Sequence, residues 1–307
     1  MSVQSPQALE RDKGWRIWWQ LTRPHTLTAA FVPVLLGSVI ALKYTNIDLG
    51  LFFAMLLASL LIQAATNMFN EYYDFKRGLD NENSVGIGGA IVRNGVKAGT
   101  VLNLALSFYG ISVLLGIYIC MKSSWWIAII GLICMIVGYF YTGGPVPIAY
   151  TPFGEITAGL FMGVAIILIS FYIQTGVITG SSILFSVPIF ILVGAILLAN
   201  NIRDLDGDEQ NGRKTLAILL GRKGAIYLLA SMFIVSYLWV AALVLFAHVT
   251  PWMLLSFLSI PKSVQATRGF IGKSMPIQMM PAMKATAQTN TFFGFLLSIG
   301  LFIAYFI

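Results

Sequence analysis

Charge is what this sequence has least of. Of its 307 residues only 10% are charged and 58% are hydrophobic, with a mean hydropathy of +0.83. A water-soluble domain carries about 25% charged residues, so this chain could not cover its surface in water and its solvent is mostly lipid. Cysteine is nearly absent. The two present, Cys120 and Cys134, fall inside apolar runs and read as small buried hydrophobes; a disulfide framework or a thiolate metal site has nothing to build on. There is no strand-like alternation, and the apolar runs are too long for barrel strands. The polar first 25 residues lead straight into the first apolar run, with no cleavable signal peptide expected. A net charge of +7 would suit nucleic acid in a soluble protein; in this one it raises the question of which membrane face holds the basic residues, and no nucleic-acid partner is expected.

What is present is a series of nearly uncharged stretches: Thr26–Leu42, Gly50–Asn70, Thr100–Met121, Ser124–Tyr141, Phe153–Gly176, Ser181–Asn201, Gly224–Val249, Pro251–Ile260 and Ala287–Ile307. Crossing a bilayer takes about 20 residues of helix, so Pro251–Ile260 needs help from its flanks. The expectation is an all-α polytopic membrane protein of nine transmembrane helices forming one domain over 1–307. A segment over 1–24 and two Asp-rich loops over 71–99 and 202–223 would face the cytoplasm. With the N-terminus inside, 17 of the 19 basic residues fall on one face, leaving only Lys43 and Lys122 outside, as the positive-inside rule requires. This puts the C-terminus outside.

Acidic residues are scarcer still, twelve in all, and eight of them occupy two windows: Glu71, Asp74, Asp80 and Glu82, then Asp204, Asp206, Asp208 and Glu209. Carboxylates beside a bilayer repel one another and are costly there, so such crowding needs a use. Asn70-x-x-x-Asp74 recurs as Asn200-x-x-x-Asp204, 130 residues later. A four-helix unit used twice, plus one helix, accounts for the interval and keeps both motifs on the cytoplasmic side. On a helix, Asn67, Asn70 and Asp74 share one face, as do Asn200, Asp204 and Asp208. Oxygen donors of this kind suit Mg²⁺, which prefers one or two carboxylates together with substrate phosphate oxygens. Arg203, Arg213 and Lys214 lie alongside and can neutralise phosphate. Metal carboxylates with cations are what a departing diphosphate requires. A cation-coupled transporter is the rival of another class, although carriers usually place their sites near the bilayer midplane on broken helices. Gly86-Ile87-Gly88-Gly89 follows no strand and reads as a flexible loop, not a dinucleotide site. Glu155, just inside an apolar run, is either a functional carboxylate or a helix-start charge. His25 reads as interfacial, and Met275, Met279, Met280 and Met283 as packing at the membrane surface or a gate.

Asn67-x-x-Asn70-Glu71-Tyr72-Tyr73-Asp74-Phe75-Lys76-Arg77-Gly78-Leu79-Asp80 and Asn200-Asn201-Ile202-Arg203-Asp204-x-x-x-Asp208 resemble the two aspartate-rich motifs of the UbiA superfamily of intramembrane aromatic prenyltransferases. Three further stretches, Arg23–Leu27, Gly88–Gly95 and Gly212–Ala217, resemble the branch of that family acting on 1,4-dihydroxy-2-naphthoate. Glu71 departs from the family's usual Asp. The resemblance implies a nine-helix bundle and a reaction: Mg²⁺-assisted transfer of a polyprenyl group from its diphosphate to the aromatic acid, with decarboxylation, giving demethylmenaquinone. Relatives accepting 4-hydroxybenzoate, homogentisate or haem are the alternatives within the family. The implied metal positions are Asp74, Asp80, Asp204 and Asp208, with Asp74, Asp204, Arg203 and Lys214 central to catalysis. Asn67, Asn70, Asn200, Asn201, Arg213 and Tyr73 would bind substrate. An apolar cavity would shield the allylic cation from water, with Phe69, Tyr72, Tyr73, Tyr139 and Tyr141 at a suitable depth to face it. The implied setting is the plasma membrane. Prenyl chain length and oligomeric state are not readable from the residues.

Overall fold

A computed structural model describes residues 12–80, 89–247 and 249–306; Glu82 and the Gly86–Gly88 part of the glycine-rich stretch lie outside them. The described chain is helical, with no strand. A short helix α1 (Trp15–Leu21) bends into α2 (Thr28–Ala41). Then come α3 (Leu49–Lys76), α4 (Ala98–Lys122) and α5 (Trp126–Phe140). One long helix follows, α6 (Gly154–Ala158) and α7 (Ile166–Thr175), joined by a π-helical stretch at Gly159–Ala165. The rest is α8 (Gly180–Gln210), α9 (Leu216–Phe246), a 3₁₀ stretch Pro251–Ser259 running into α10 (Ile260–Phe270), and α11 (Pro276–Phe306).

Each of the nine apolar runs is helical where described. Among the described residues six helices are long and apolar enough to cross a membrane, and α1–α2, bent by 55°, makes a seventh if it counts as one span. The two runs outside that count have visible reasons. Helix α5 has 15 residues, and the Pro251 run is 3₁₀ helix extended by the more polar α10. Those two follow one another without a break over 251–270, and rises of about 2.0 and 1.5 Å per residue give roughly 35 Å of helix.

Capping side chains set several boundaries. Asp48 accepts the Leu51 amide at 3.1 Å to open α3. Thr179 and Ser182 form a reciprocal capping box on α8, and Gly176 closes α7 in the left-handed region at φ 72°. Helices α3 and α8 contain 28 and 31 residues, or about 42 and 46 Å at 1.5 Å per residue. A hydrocarbon core of about 30 Å leaves over two turns to spare. The sequence reading put 71–99 and 202–223 in loops; instead the motif residues up to Lys76 and Gln210 continue the helices, because arginines pair with their carboxylates and no break is forced.

The main core joins α2, α7, α8, α9, α10 and α11. A second packs α3 and α4 against Ala90 and Ile91, and a third ties α2 and α7 to the opposite ends of α3 and α4. With lipid as apolar as the side chains, helices associate where small residues let backbones approach. Gly37 of α2 is such a place: a Cβ there would lie 2.4 Å from the Ile167 carbonyl oxygen of α7. Replacing Gly37 with Val should destabilise the protein by about 1–3 kcal/mol through overpacking. Gly110→Val on α4, where a Cβ meets nothing within 4 Å, should shift stability by no more than about 0.5 kcal/mol. Thermal unfolding of the two variants in detergent checks the pair.

Candidate active site

The polar ends of α3 and α8 are drawn together by one side chain from the turn after α8. Arg213 donates to an Asp74 oxygen at 2.9 Å and pairs with Asp208 at 3.0 Å, so the two motifs share one guanidinium. Burial works against the Arg213 charge, but Asp74 and Asp208 outweigh it and raise its pKa. The plane of that guanidinium is steadied by the Tyr150 ring, 4.5 Å from its central carbon. Arg77 lies over the same ring at 5.3 Å and donates to the carbonyls of Thr142 and Gly144 at 2.6 and 2.8 Å. Two arginines therefore flank one tyrosine, locking the 142–150 segment beneath the acidic cluster.

A second chain of contacts enters from α1–α2. The bend there is fastened by Asn67, whose amide donates to the Thr22 carbonyl at 2.8 Å and to the Thr26 hydroxyl at 2.9 Å. Arg23, held at φ 50°, then donates to the Asn70 oxygen at 2.8 Å, and the Asn70 nitrogen donates to the second Asp74 oxygen at 2.8 Å. Asp80 lies within electrostatic reach of Arg23, Arg213, Asp204 and Arg203; burial pushes its carboxyl above the usual range although Arg23 and Arg213 pull it down. Asp204 is gripped side-on by its neighbour Arg203, with Nε at 2.6 Å. Arg203 is itself buried against the Met283 sulfur at 3.2 Å.

Not every residue predicted from sequence joins this cluster. Asn201 turns away to donate to Glu155 at 2.8 Å, and the other Glu155 oxygen, buried, has no hydrogen-bond partner among the described residues. Tyr73 hydrogen-bonds Tyr139, hydroxyl to hydroxyl, on the far side of α3. Phe69 is buried edge-on against Tyr109 and Tyr139, so neither Phe69 nor Tyr73 borders the cavity described below. Lys214 is exposed, and only its backbone amide is engaged, by the Tyr150 carbonyl at 2.8 Å. Asp206 pairs outward with Arg222 at 2.8 Å. Glu71 accepts the amides of Gly89 and Ile91 at 3.2 and 3.0 Å, so it fastens the segment after the first motif instead of facing the cluster.

Behind the cluster lies a cavity of about 450 Å³. Arg23, Thr26, Asn67, Asn70, Tyr141 and Asn200 form its polar end; the remainder is mostly apolar side chains of α3, α4, α5, the π-helical stretch, α7 and α8. Arg23 and Asn70 belong to both cavity wall and charged cluster. Sequence reasoning missed Arg23, Arg77 and Tyr150 as site residues. Arg23 and Arg77 had signals, Arg23 in the Arg23–Leu27 stretch and Arg77 inside the first aspartate-rich motif; stacking on Tyr150 leaves no mark in spacing.

The UbiA prenyltransferase family profile matches residues 30–276. The chain belongs to that family. It is 63% identical over 299 residues to the 1,4-dihydroxy-2-naphthoate octaprenyltransferase of Bacillus subtilis, covering 97% of this chain and 96% of that protein. The enzyme of the same name from Haemophilus influenzae is 30% identical, over 94% of this chain and 96% of its own length. The UbiA homolog from Archaeoglobus fulgidus, solved bound to GPP and Mg²⁺, superposes with a TM-score of 0.62 at 18% identity, covering 92% of this chain and 99% of that one. A homolog from Aeropyrum pernix gives 0.68 at 15%, over 92% and 98%. The UbiA fold and the multi-pass helical character of this chain are thus established.

The donor set fits Mg²⁺ in chemistry: hard carboxylate oxygens beside cations, gathered at the polar ends of two helices. No group of three or more such ligands stands ready-made to hold an ion among the described residues; Asp74 and Asp208 are paired with Arg213, and Asp204 with Arg203.

The Glu71 contacts carry a prediction of their own. Charge-assisted hydrogen bonds contribute about 1.5–3 kcal/mol each. With two such bonds lost, Glu71→Ala should raise opening of the 89–95 segment by about a hundredfold or more, read as faster trypsin cleavage after Arg93 with the helical bundle intact by circular dichroism.

Proposed function

We propose that this chain transfers a polyprenyl group from polyprenyl diphosphate to 1,4-dihydroxy-2-naphthoate, with loss of CO₂. The observation that carries the reading is a carboxylate–guanidinium cluster set on the polar mouth of an apolar cavity, in a chain 63% identical to a protein named for that reaction. In this reading the diphosphate lies among Arg23, Arg203 and Arg213, and the first isoprene units lie in the cavity beyond Asn70 and Asn200. Mg²⁺ held by Asp74, Asp208 and their neighbours Asp80 and Asp204 would neutralise the leaving group.

The residues then have separable tasks. Guanidinium groups bind the departing diphosphate as the carbon–oxygen bond breaks. The apolar wall keeps water from the allylic cation, so that the aromatic ring is the nucleophile available. Attack through the carboxylate-bearing ring carbon forms the new carbon–carbon bond, and CO₂ leaves with no change of oxidation level. The immediate product is the quinol, whose oxidation gives demethylmenaquinone. The basic residues argue for a site facing the cytoplasm of a plasma membrane, with the N-terminus inside and the C-terminus outside.

Membranes containing the protein, given a prenyl diphosphate, Mg²⁺ and 1,4-dihydroxy-2-naphthoate, should form prenylated naphthoquinol. Absence of prenylated product with every aromatic acid tried, with or without metal, would remove the enzyme reading; product with 4-hydroxybenzoate but not with 1,4-dihydroxy-2-naphthoate would remove the acceptor. Asp74→Asn and Asp204→Asn should each lower turnover by about a hundredfold or more, with membrane insertion unchanged. Near-normal rates in both would exclude the metal–diphosphate assignment. Arg213→Lys should also lose most activity, because an ammonium cannot bridge two carboxylates or grip a diphosphate in the same planar geometry.

A further inference from the structure

One buried acid is left over from the charged cluster. Glu155, in the first turn of α6, is 4% exposed. Its Oε1 accepts from the Asn201 amide at 2.8 Å, while its Oε2 is buried and meets no hydrogen-bond donor among the described residues. The amide of Glu155 itself bears on the carboxyl, as a charge at a helix start would require, yet Oε2 stays without a partner. A buried polar atom in that state is unfavourable unless a ligand completes it. A second such atom lies close by. The Tyr141 hydroxyl is also buried without a partner among the described residues and is within electrostatic reach of Glu155. It stands over the first turn of α6, where a Cβ on Gly154 would lie 3.3 Å from it. Tyr141 belongs to the polar end of the cavity wall, with Asn200 of α8 and, from α6, Thr157.

We propose that Tyr141 and Glu155 form the subsite for a hydroxyl group of the aromatic acceptor and carry its proton during the reaction. The proposal rests on the reading of the chain as a prenyltransferase acting on 1,4-dihydroxy-2-naphthoate. When the carboxylate-bearing ring carbon bonds to the allylic cation, the adjacent hydroxyl oxygen feeds electrons into the ring, and that hydroxyl must lose its proton. Tyr141 accepts the proton at Oη and passes its own to Glu155 Oε2, a phenol being both donor and acceptor. The ring then holds a ketone next to the carbon that bears the carboxylate. Such a β-keto carboxylate releases CO₂ because the ketone takes up the electron pair of the breaking bond. The proton returns by the same route to the enolate oxygen, giving the quinol, so Glu155 ends as it began and no co-reactant is consumed. Tyr141 and Glu155 are not hydrogen-bonded to each other in the structure; a small shift of the tyrosine as the acceptor seats joins them. Asn201 holds the carboxylate by Oε1 and leaves Oε2 for this contact. The groups bearing on the pair from the elements packed around it are Asn201 on Glu155, and Arg213 and Asp208 on Tyr141. Neighbouring asparagines thereby take separate tasks, Asn200 bordering the cavity and Asn201 orienting the acid.

The test uses the full-length protein in phospholipid nanodiscs with Mg²⁺, a prenyl diphosphate and 1,4-dihydroxy-2-naphthoate, with kcat and KM followed against pH. Glu155→Gln keeps an oxygen for the Asn201 amide but cannot take a proton. It should lower kcat by about a hundredfold and leave KM for the diphosphate unchanged. Its kcat should climb about tenfold per pH unit on the alkaline side, where hydroxide does the work of the missing base, while wild type stays flat there. Tyr141→Phe should show the same loss and the same slope. The double variant should be no slower than either single one, because the two residues act as a unit. Glu155→Asp should recover about tenfold over Glu155→Gln, which a purely structural role for the amide contact does not require. Should Glu155→Gln fail to give a monodisperse protein, the slope in Tyr141→Phe decides alone. A kcat within about twofold of wild type, a loss equal at every pH, or losses that multiply in the double variant overturns the relay. Wild-type protein that forms no prenylated product overturns the prenyltransferase reading itself, and the relay with it.

Discussion

The arrangement turns on a charge problem: two aspartates from distant parts of the chain, Asp74 and Asp208, sit close together at the rim of an apolar bundle. Arg213 solves it by bonding both, at 2.9 and 3.0 Å. Without a cation between them the carboxylates would repel, and the ends of α3 and α8 would have reason to splay. With it, the first and second halves of the chain are pinned at one level, and the mouth of the cavity is defined. Tyr150 and Arg77 then make this a braced structure, because the Arg213 guanidinium is held by its flat face as well as its edge.

That solution also prepares the site for ligand. Pairs such as Arg213 with Asp74 and Asp208, or Arg203 with Asp204, are complete without substrate. An arginine that gives up a carboxylate can turn to phosphate oxygens, and the released carboxylate is free for a hard cation. Exchange of partners keeps the charges matched throughout, which matters where water is scarce and an unpaired charge is expensive. A cation carrier would instead need its carboxylates free near the bilayer midplane, whereas these stand at helix ends and are held by guanidinium groups.

Long helices were readable because lipid demands internal backbone hydrogen bonding over about 20 residues, and each apolar run is helical where described. The breaks were not readable: the bend at Arg23, the π-helical stretch at Gly159–Ala165 and the 3₁₀ start at Pro251 arise from packing, which hydropathy does not register. In the site, Asp74, Asp208 and Asn70 were found because a repeated polar pattern stands out against an apolar background. Neighbouring residues, by contrast, take different places in the structure. Lys214 was placed at the centre of catalysis and Arg213 among the substrate contacts, yet Arg213 bridges the motifs and Lys214 points outward. Glu71 sits within the motif but holds backbone amides, and Asn201, beside Asn200, serves Glu155. Such assignments depend on the turn of the helix at one residue, a 100° step that spacing fixes only when both ends of a contact are known.

The cavity was illegible for a deeper reason. In water, a pocket wall differs from a protein surface in polarity; in a membrane, both are apolar, so Gly131 facing the cavity and Ile130 facing lipid look alike in sequence. The same equivalence explains how so small a cavity can serve a long substrate. An apolar tail gains little by moving from lipid into an apolar cavity, so enclosing it would add mass without affinity. What the protein must enclose is the reacting end, where the cation has to be kept from water and the diphosphate held. Selection for the head then belongs to the charged rim.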